Sequence, residues 1–291
     1  MYQRIIALLA YLYSLVLPAF LFHCDVHSEA SITDSVKTLL DTSYVLSGTN
    51  PEKSLAAVEN AIKLSKDIKN DTLLANSYIE MSYVQSDLGN APKATEYAFK
   101  ALTLYEKHGD KPGMATAYMR IAWDKLVIGE YDNVYDYLYE SLHLARSSHD
   151  SVTLSTVYHM LGAAYNWTNK YQNIPSKQDS FHMWLDSAIY YDRKAVEIRR
   201  RKNIRGLHNT LNNLGMVLQR KATATGRGYE QAEKAYKESF EIRKSEYDTM
   251  GMAASRINLA QLSRKKGDLD KALIHARQGK KKKKKINYPL H

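Results

Sequence analysis

Residues 76–102, NSYIEMSYVQSDLGNAPKATEYAFKAL, can be laid over residues 116–142, TAYMRIAWDKLVIGEYDNVYDYLYESL, at an offset of forty. Tyr78 then falls on Tyr118 and, one step further, on Tyr158; Gly89 falls on Gly129, and Ala101 on Ser141. A fixed period of this length constrains a chain more than any single motif. Each period is one supersecondary unit that can bury its apolar face only against its neighbours. Within each period apolar residues recur at three and four in both halves, which is the spacing of two amphipathic helices. A Gly-containing turn separates the halves, and a polar joint such as KHGDKPG, Lys107 to Gly113, closes the unit.

The period divides residues 31–291 into six units, at about 31–71, 72–112, 113–152, 153–205, 206–250 and 251–291. The first is degenerate and is expected to serve as an N-terminal cap. Its second helix still has a defined start, with Asn50 as cap, Pro51 at the first helical position and Glu52 in the first turn. Unit four carries about fourteen extra residues, YQNIPSKQDSFHMW or nearby, and unit five about five in ATATGRG. Both insertions are expected between the helices of their units.

A small residue sits inside each first helix, at Ser82, Ala122, Gly162, Gly215 and Ala260, each preceded by an apolar one, Met81, Ile121, Leu161, Leu214 and Leu259. Alanines mark the second helices, Ala94 with Ala101, Ala188 with Ala195, and Ala272. With LGAAY and GDLDKAL these positions resemble the tetratricopeptide repeat, whose unit is nearer thirty-four residues. The longer spacing here implies longer helices or joints. The resemblance covers nearly all of 31–291 and implies an all-α, right-handed superhelical solenoid of about six helix-turn-helix repeats. It also implies that the first helices line a concave groove. Carried over position by position, it makes Tyr83, Trp123, Asn209, Asn212, Met216 and Arg220 candidate peptide-binding residues. Asn212 stands where members of that family often hold a peptide backbone. Asn213 and Asn258 could instead bind adjacent helices, and Tyr83 and Trp123 could be packing residues. The Lys-Asn carboxylate clamp of some members is not reproduced, since His159 and Met119 stand where its first Lys would be.

Residues 1–30 read differently. Arg4 precedes an uncharged apolar run, Ile5 to Phe22, and Ser28 to Ala30 offer small residues before a cleavage point. This is the pattern of a secretory signal peptide; about eighteen apolar residues also nearly suffice for an uncleaved membrane anchor. The only cysteine is Cys24, so the chain forms no internal disulfide and no cysteine zinc site. An exported, periplasmic or cell-envelope location is expected, with membrane contact only through an uncleaved N-terminal segment.

Of the net charge of +10, the run Lys280–Lys285 supplies six, which leaves about +4 for everything else. That remainder is no nucleic-acid footprint. The run keeps the register of the period and falls on the last turns of the second helix of unit six, where lysine suits a helix C-terminus. INYPLH falls where a seventh unit would open, so the last repeat reads as truncated. No nucleic-acid partner is expected; the alternative is a basic module that takes anionic lipid or nucleic acid through Lys280–Lys285.

No catalytic constellation is apparent. Ser147, His149 and Asp150 are neighbours in sequence, cannot form a triad, and align with the joint KHGD. No histidine pair has the spacing of a helical zinc site, and no strand precedes the glycines of GRG. No enzyme, cofactor or metal is expected. The function implied is a protein- or peptide-binding repeat scaffold, resembling the extracytoplasmic sensor region of bacterial membrane-bound regulators such as histidine kinases and transcriptional regulators. The alternative is a free-standing periplasmic or surface scaffold.

Overall fold

A computed structural model describes residues 29–47, 50–168 and 178–286. The apolar run Ile5–Phe22, Cys24 and the segment after Ile286 lie outside the described residues, as does the first half of the insertion in unit four. Among the described residues there are twelve α-helices and no strand. They are α1 (29–47), α2 (Pro51–Asp67), α3 (Asp71–Asp87), α4 (Ala91–His108), α5 (Lys111–Ile128) and α6 (Val134–Ser147). After them come α7 (Ser151–Thr168), α8 (Gln178–Lys202), α9 (Leu207–Thr225), α10 (Tyr229–Ser245), α11 (Thr249–Lys265) and α12 (Leu269–Ile286). Ala30, the expected cleavage point, lies in the first turn of α1. No described helix is long and apolar enough to cross a membrane.

The forty-residue period is two nearly equal halves. Left-handed residues recur every twenty positions, at Lys69, Gly89, Gly109, Gly129 and His149, and again at Tyr247 and Gly267. All but Gly129, which Glu130–Asn133 separate from α6, lie in the same short joint. The N–H that follows the left-handed residue reaches back to a carbonyl five residues earlier, as in Asn70 to Ser65 at 3.0 Å, Asn90 to Gln85 at 2.8 Å and Asp268 to Ser263 at 2.9 Å. This satisfies a carbonyl that the helix end leaves open. The donor residue then caps the next helix: Asn70 accepts from the Leu73 N–H at 3.0 Å, and Asp248 from the Gly251 N–H at 2.7 Å. Seventeen-residue helices on three-residue joints, or an eighteen-residue helix on a two-residue joint, account for the departure from thirty-four.

The insertions are more helical than their sequences suggest. Residues 178–184, the second half of YQNIPSKQDSFHMW, form the first two turns of α8, which reaches twenty-five residues. ATATGRG is divided: Ala222–Thr225 extend α9, and Gly226 and Gly228 turn the chain with φ of 72° and 90°. The lysine run continues α12 as expected.

The chain divides into two compact units, with the boundary inside α5 between Arg120 and Ile121. In the first, Val36, Ala61 and Leu73 join α1, α2 and α3, and Val58, Met81 and Val84 extend that packing. In the second, Leu185, Val217, Tyr236 and Leu262 are buried in one core drawn from α8 to α11. The small-residue sites lie where helices approach: Ser82 and Ala122 are buried, and a Cβ on Gly162 would meet Asp192 at 2.5 Å.

Candidate functional site

In the second unit the first helices α7, α9 and α11 are neighbours, since α9 packs against both of the others. Asn209, Asn212, Met216 and Arg220 are spaced by three and four along α9 and so form one stripe. Asn212 is the centre of it. Its Oδ1 accepts from the Asn258 Nδ2 of α11 at 2.7 Å, and its own amide nitrogen lies 3.8 Å from the Met216 sulfur. A neutral amide pair of this kind keeps an unused donor and acceptor on each partner, the groups that a peptide bond matches. Met216 is 37 % exposed beside it, an adaptable apolar contact.

The ends of the stripe are structural. Asn209 accepts from Arg243 at 2.8 Å, and the same guanidinium donates to the Gly251 carbonyl at 2.7 Å. Arg220 donates to the backbone carbonyl and, at 2.6 Å, to the side-chain oxygen of Asn166, so it caps the last turn of α7. Burial lowers the pKa of Arg220, as it does that of Arg243.

Trp123 is half-buried in α5 and packs on Trp167 of α7, with ring centres 5.2 Å apart. Trp167, next to Asn166 in sequence, is 46 % exposed. The stripe on α9 is thus followed, across Arg220 and Asn166, by an aromatic pair. Tyr83 belongs to the first unit, where its ring lies under the Arg120 guanidinium at 4.5 Å while Arg120 Nε donates to Ser82 at 2.9 Å. Asn213 is buried and donates to Asp192 at 2.6 Å, so it binds the adjacent helix α8. Asn258 binds the neighbouring first helix.

Sequence reasoning missed the arginines that build this face. Arg199 donates to the Gly206 carbonyl at 2.8 Å and to Thr156 at 3.4 Å, which repeats in α8 what Arg243 does in α10. The signal is present, an arginine in the last turn of both second helices, but it is hidden among other cations in EIRRRK. It also missed Asp192, fully buried between Asn213 and His159, whose Nδ1 is 3.6 Å away. Ser147, Ser148, His149 and Asp150 form a joint, with His149 left-handed at φ 56° and Asp150 accepting from the Val152 N–H at 2.9 Å. No group of three or more His, Cys, Asp or Glu that could hold a metal occurs among the described residues.

No protein-family model matches the chain. A curated relative, Regulatory protein RapK of Bacillus subtilis (strain 168), is 24% identical over 157 residues, 53% of this chain and 42% of its own. The chain thus spans less than half the length of the curated relative it matches. Among solved structures, a Rap protein complexed with competence and sporulation factor aligns with a TM-score of 0.63 at 13% identity, over 87% of this chain and 76% of that one. The tetratricopeptide-repeat sensor protein of the STAND class from Pyrococcus horikoshii aligns at 0.57 and 20% identity, over 84% and 36%. Aspartyl phosphate phosphatase F from Bacillus subtilis aligns at 0.54 and 14%, over 89% and 63%. The fold is therefore that of a tetratricopeptide-like helical repeat protein.

Proposed function

We propose that this chain is a non-catalytic repeat module that binds a peptide or an extended protein segment on the first-helix face of α7, α9 and α11. We further propose that it is the sensing part of an exported signal-transduction protein. The observation that carries the binding reading is the Asn212–Asn258 amide pair beside exposed Met216. It joins backbone-matching groups to an adaptable apolar contact, on helices fixed by the arginine contacts beneath. Similarity to a regulatory protein, to a structure solved with competence and sporulation factor, and to a repeat sensor supports the same class of activity. Export rests on the apolar run Ile5–Phe22 and the small residues up to Ala30.

Selection from a random heptapeptide display library on the full chain tests the binding reading. Recovered peptides should compete with one another and bind saturably. Because one structural neighbour carries a phosphatase name, the chain should also be incubated with aspartyl-phosphorylated response-regulator receivers, and the half-life of the phosphoryl group should not change. A shortened half-life would make the module an enzyme. Mass spectrometry of envelope fractions should find a mature N-terminus near Ser31; intact Met1 on cytosolic protein would refute export.

A further inference from the structure

The second helices of the second unit carry a surface that the peptide reading does not use. Helices α8 and α10 both pack against α9 while their own backbones stand apart, linked only by side-chain pairs such as Arg200–Glu238, so a furrow runs between them above α9. Its volume is about 500 Å³, within the range of ligand-binding clefts. The sequence dictates its character. On α8 the lining positions Arg193, Val196, Glu197, Arg200 and Arg201 follow one helical face. On α10, Gln231, Lys234 and Glu238 do the same. The floor is Leu211, Leu214 and Leu218 of α9, all more than nine-tenths buried, so it offers shape and little sticky surface.

The walls are therefore what a ligand would meet, and they are unbalanced in charge. Arg200 is neutralised across the furrow by Glu238 at 2.5 Å. Among the described residues Arg193 has the uncharged Gln231, at 3.2 Å, and the exposed Arg201 and Lys234 have no carboxylate within ion-pair distance. A second hollow shares Arg193, Leu218 and Gln231 with the first and continues it to Arg227 at the α9–α10 turn, past the Lys221–Asp186 ion pair. From Asp186 to Arg201 the wall is about 22 Å long, at roughly 1.5 Å per helical residue. That length seats about seven residues of extended chain at roughly 3.3 Å each.

We propose that this furrow binds an acidic peptide segment in extended conformation. Successive side chains of an extended chain point to opposite sides, and cations without a carboxylate partner among the described residues stand on both walls, Arg193 and Arg201 on one and Lys234 on the other. Carboxylates at neighbouring positions thus reach a cation each. A nucleic-acid strand is the poorer fit. It places a charge at every step, and Asp186, Glu197 and Glu238 interrupt the cations with charge of its own sign.

The test is fluorescence anisotropy of the full chain with a labelled Glu-rich octapeptide, its Gln-for-Glu counterpart and an oligothymidylate of eight nucleotides. The Glu-rich peptide should bind saturably, weaken as salt rises, and bind at least tenfold more tightly than either of the others. Arg193→Glu, Arg201→Glu and Lys234→Glu together should weaken it at least tenfold. The same three-charge reversal at exposed Lys63, Lys93 and Lys111 of the first unit should change it less than threefold, and Asn212→Ala should leave it unaltered. Equal loss in both triple variants, absence of saturation, or preference for the oligonucleotide would overturn the proposal. Loss in Asn212→Ala would move the acidic peptide to the first-helix face.

Discussion

Gly215 of α9 lies so close to Tyr236 of α10 that a Cβ built on it would sit 2.6 Å from a ring carbon. Tyr236 is 1 % exposed and cannot swing aside. The glycine is therefore there for proximity, and its helical cost relative to alanine, about 1 kcal/mol, is outweighed by the packing it permits. Gly215→Ala should gain that propensity and still lose about 1–3 kcal/mol net through overpacking. Urea denaturation should show a lower midpoint with an unchanged slope; equal or greater stability would mean that α9 and α10 are not in this contact.

The joints give a second, opposite pair of expectations. Gly89 has φ 76° with open space around it, so Gly89→Ala should cost about 1–2 kcal/mol from backbone conformation alone. Tyr247 holds the equivalent place at φ 57° with its side chain 87 % exposed. Tyr247→Gly should therefore raise stability by about 1 kcal/mol. Thermal melts of both variants check this, and a destabilised Tyr247→Gly would show that the tyrosine makes a contact worth more than the strain.

Much of this architecture was legible because the period is carried by small residues, whose reason is geometric: Gly162 and Gly215 stand where any side chain would collide. The helix pairs and their order followed from it. The exact half-period did not, because three of its left-handed positions are Lys69, His149 and Tyr247, residues that do not announce a turn. What does announce it is the Asn or Asp that comes next, at 70, 150 and 248 as at 90, 110 and 268. The site was legible only in part. Asn209 and Arg220 have the right spacing for a binding stripe, yet long-range partners, Arg243 and Asn166, take up their polar groups. Spacing along one helix cannot reveal what a residue thirty or fifty positions away will do. The helical start of α8 was missed for a similar reason: Phe181 and Leu185 are pulled into the core of the second unit, and that burial turns part of an insertion into helix.

Asp192 predicts a pH dependence. It is fully buried, faced by His159 from α7, Asn213 from α9 and Arg199 on its own helix, and burial raises its pKa despite these partners. A carboxyl that holds its proton more tightly in the folded chain makes stability fall as pH rises from its ordinary range, near 4, through the raised value. Asp192→Asn keeps an acceptor for Asn213 and removes the buried charge. It should be more stable than the wild type at pH 8 by about 1 kcal/mol, with the gap closing toward pH 4. A gap that widens on acidification would show that the ionised form is the one the fold favours.

Glu233 predicts the reverse. Hydrogen bonds from Lys237 at 2.7 Å and Lys266 at 2.9 Å hold its pKa down at about 2, from an ordinary 4.5. Its contribution is complete above the ordinary value and disappears as pH falls from there toward 2. The pair is partly exposed, so the contribution is at most about 1 kcal/mol. Glu233→Gln should melt earlier than the wild type at pH 7, with most of the gap closed at pH 2.5; equal melting at pH 7 would assign Lys266 no role in joining α10 to α11.

The central claim is that the first-helix face holds extended peptide backbone through Asn212. The decisive measurement is a calorimetric titration of a library-selected heptapeptide into the wild type, Asn212→Ala and Asn212→Asp. Loss of a hydrogen-bonding pair to a peptide group should cost about 1–3 kcal/mol. Asn212→Ala should thus bind about tenfold or more weakly, with circular dichroism and melting little changed. Asn212→Asp, which keeps the acceptor and loses the amide donor, should fall between the two. Selected peptides that bind all three proteins alike would contradict the account and remove the site from this face.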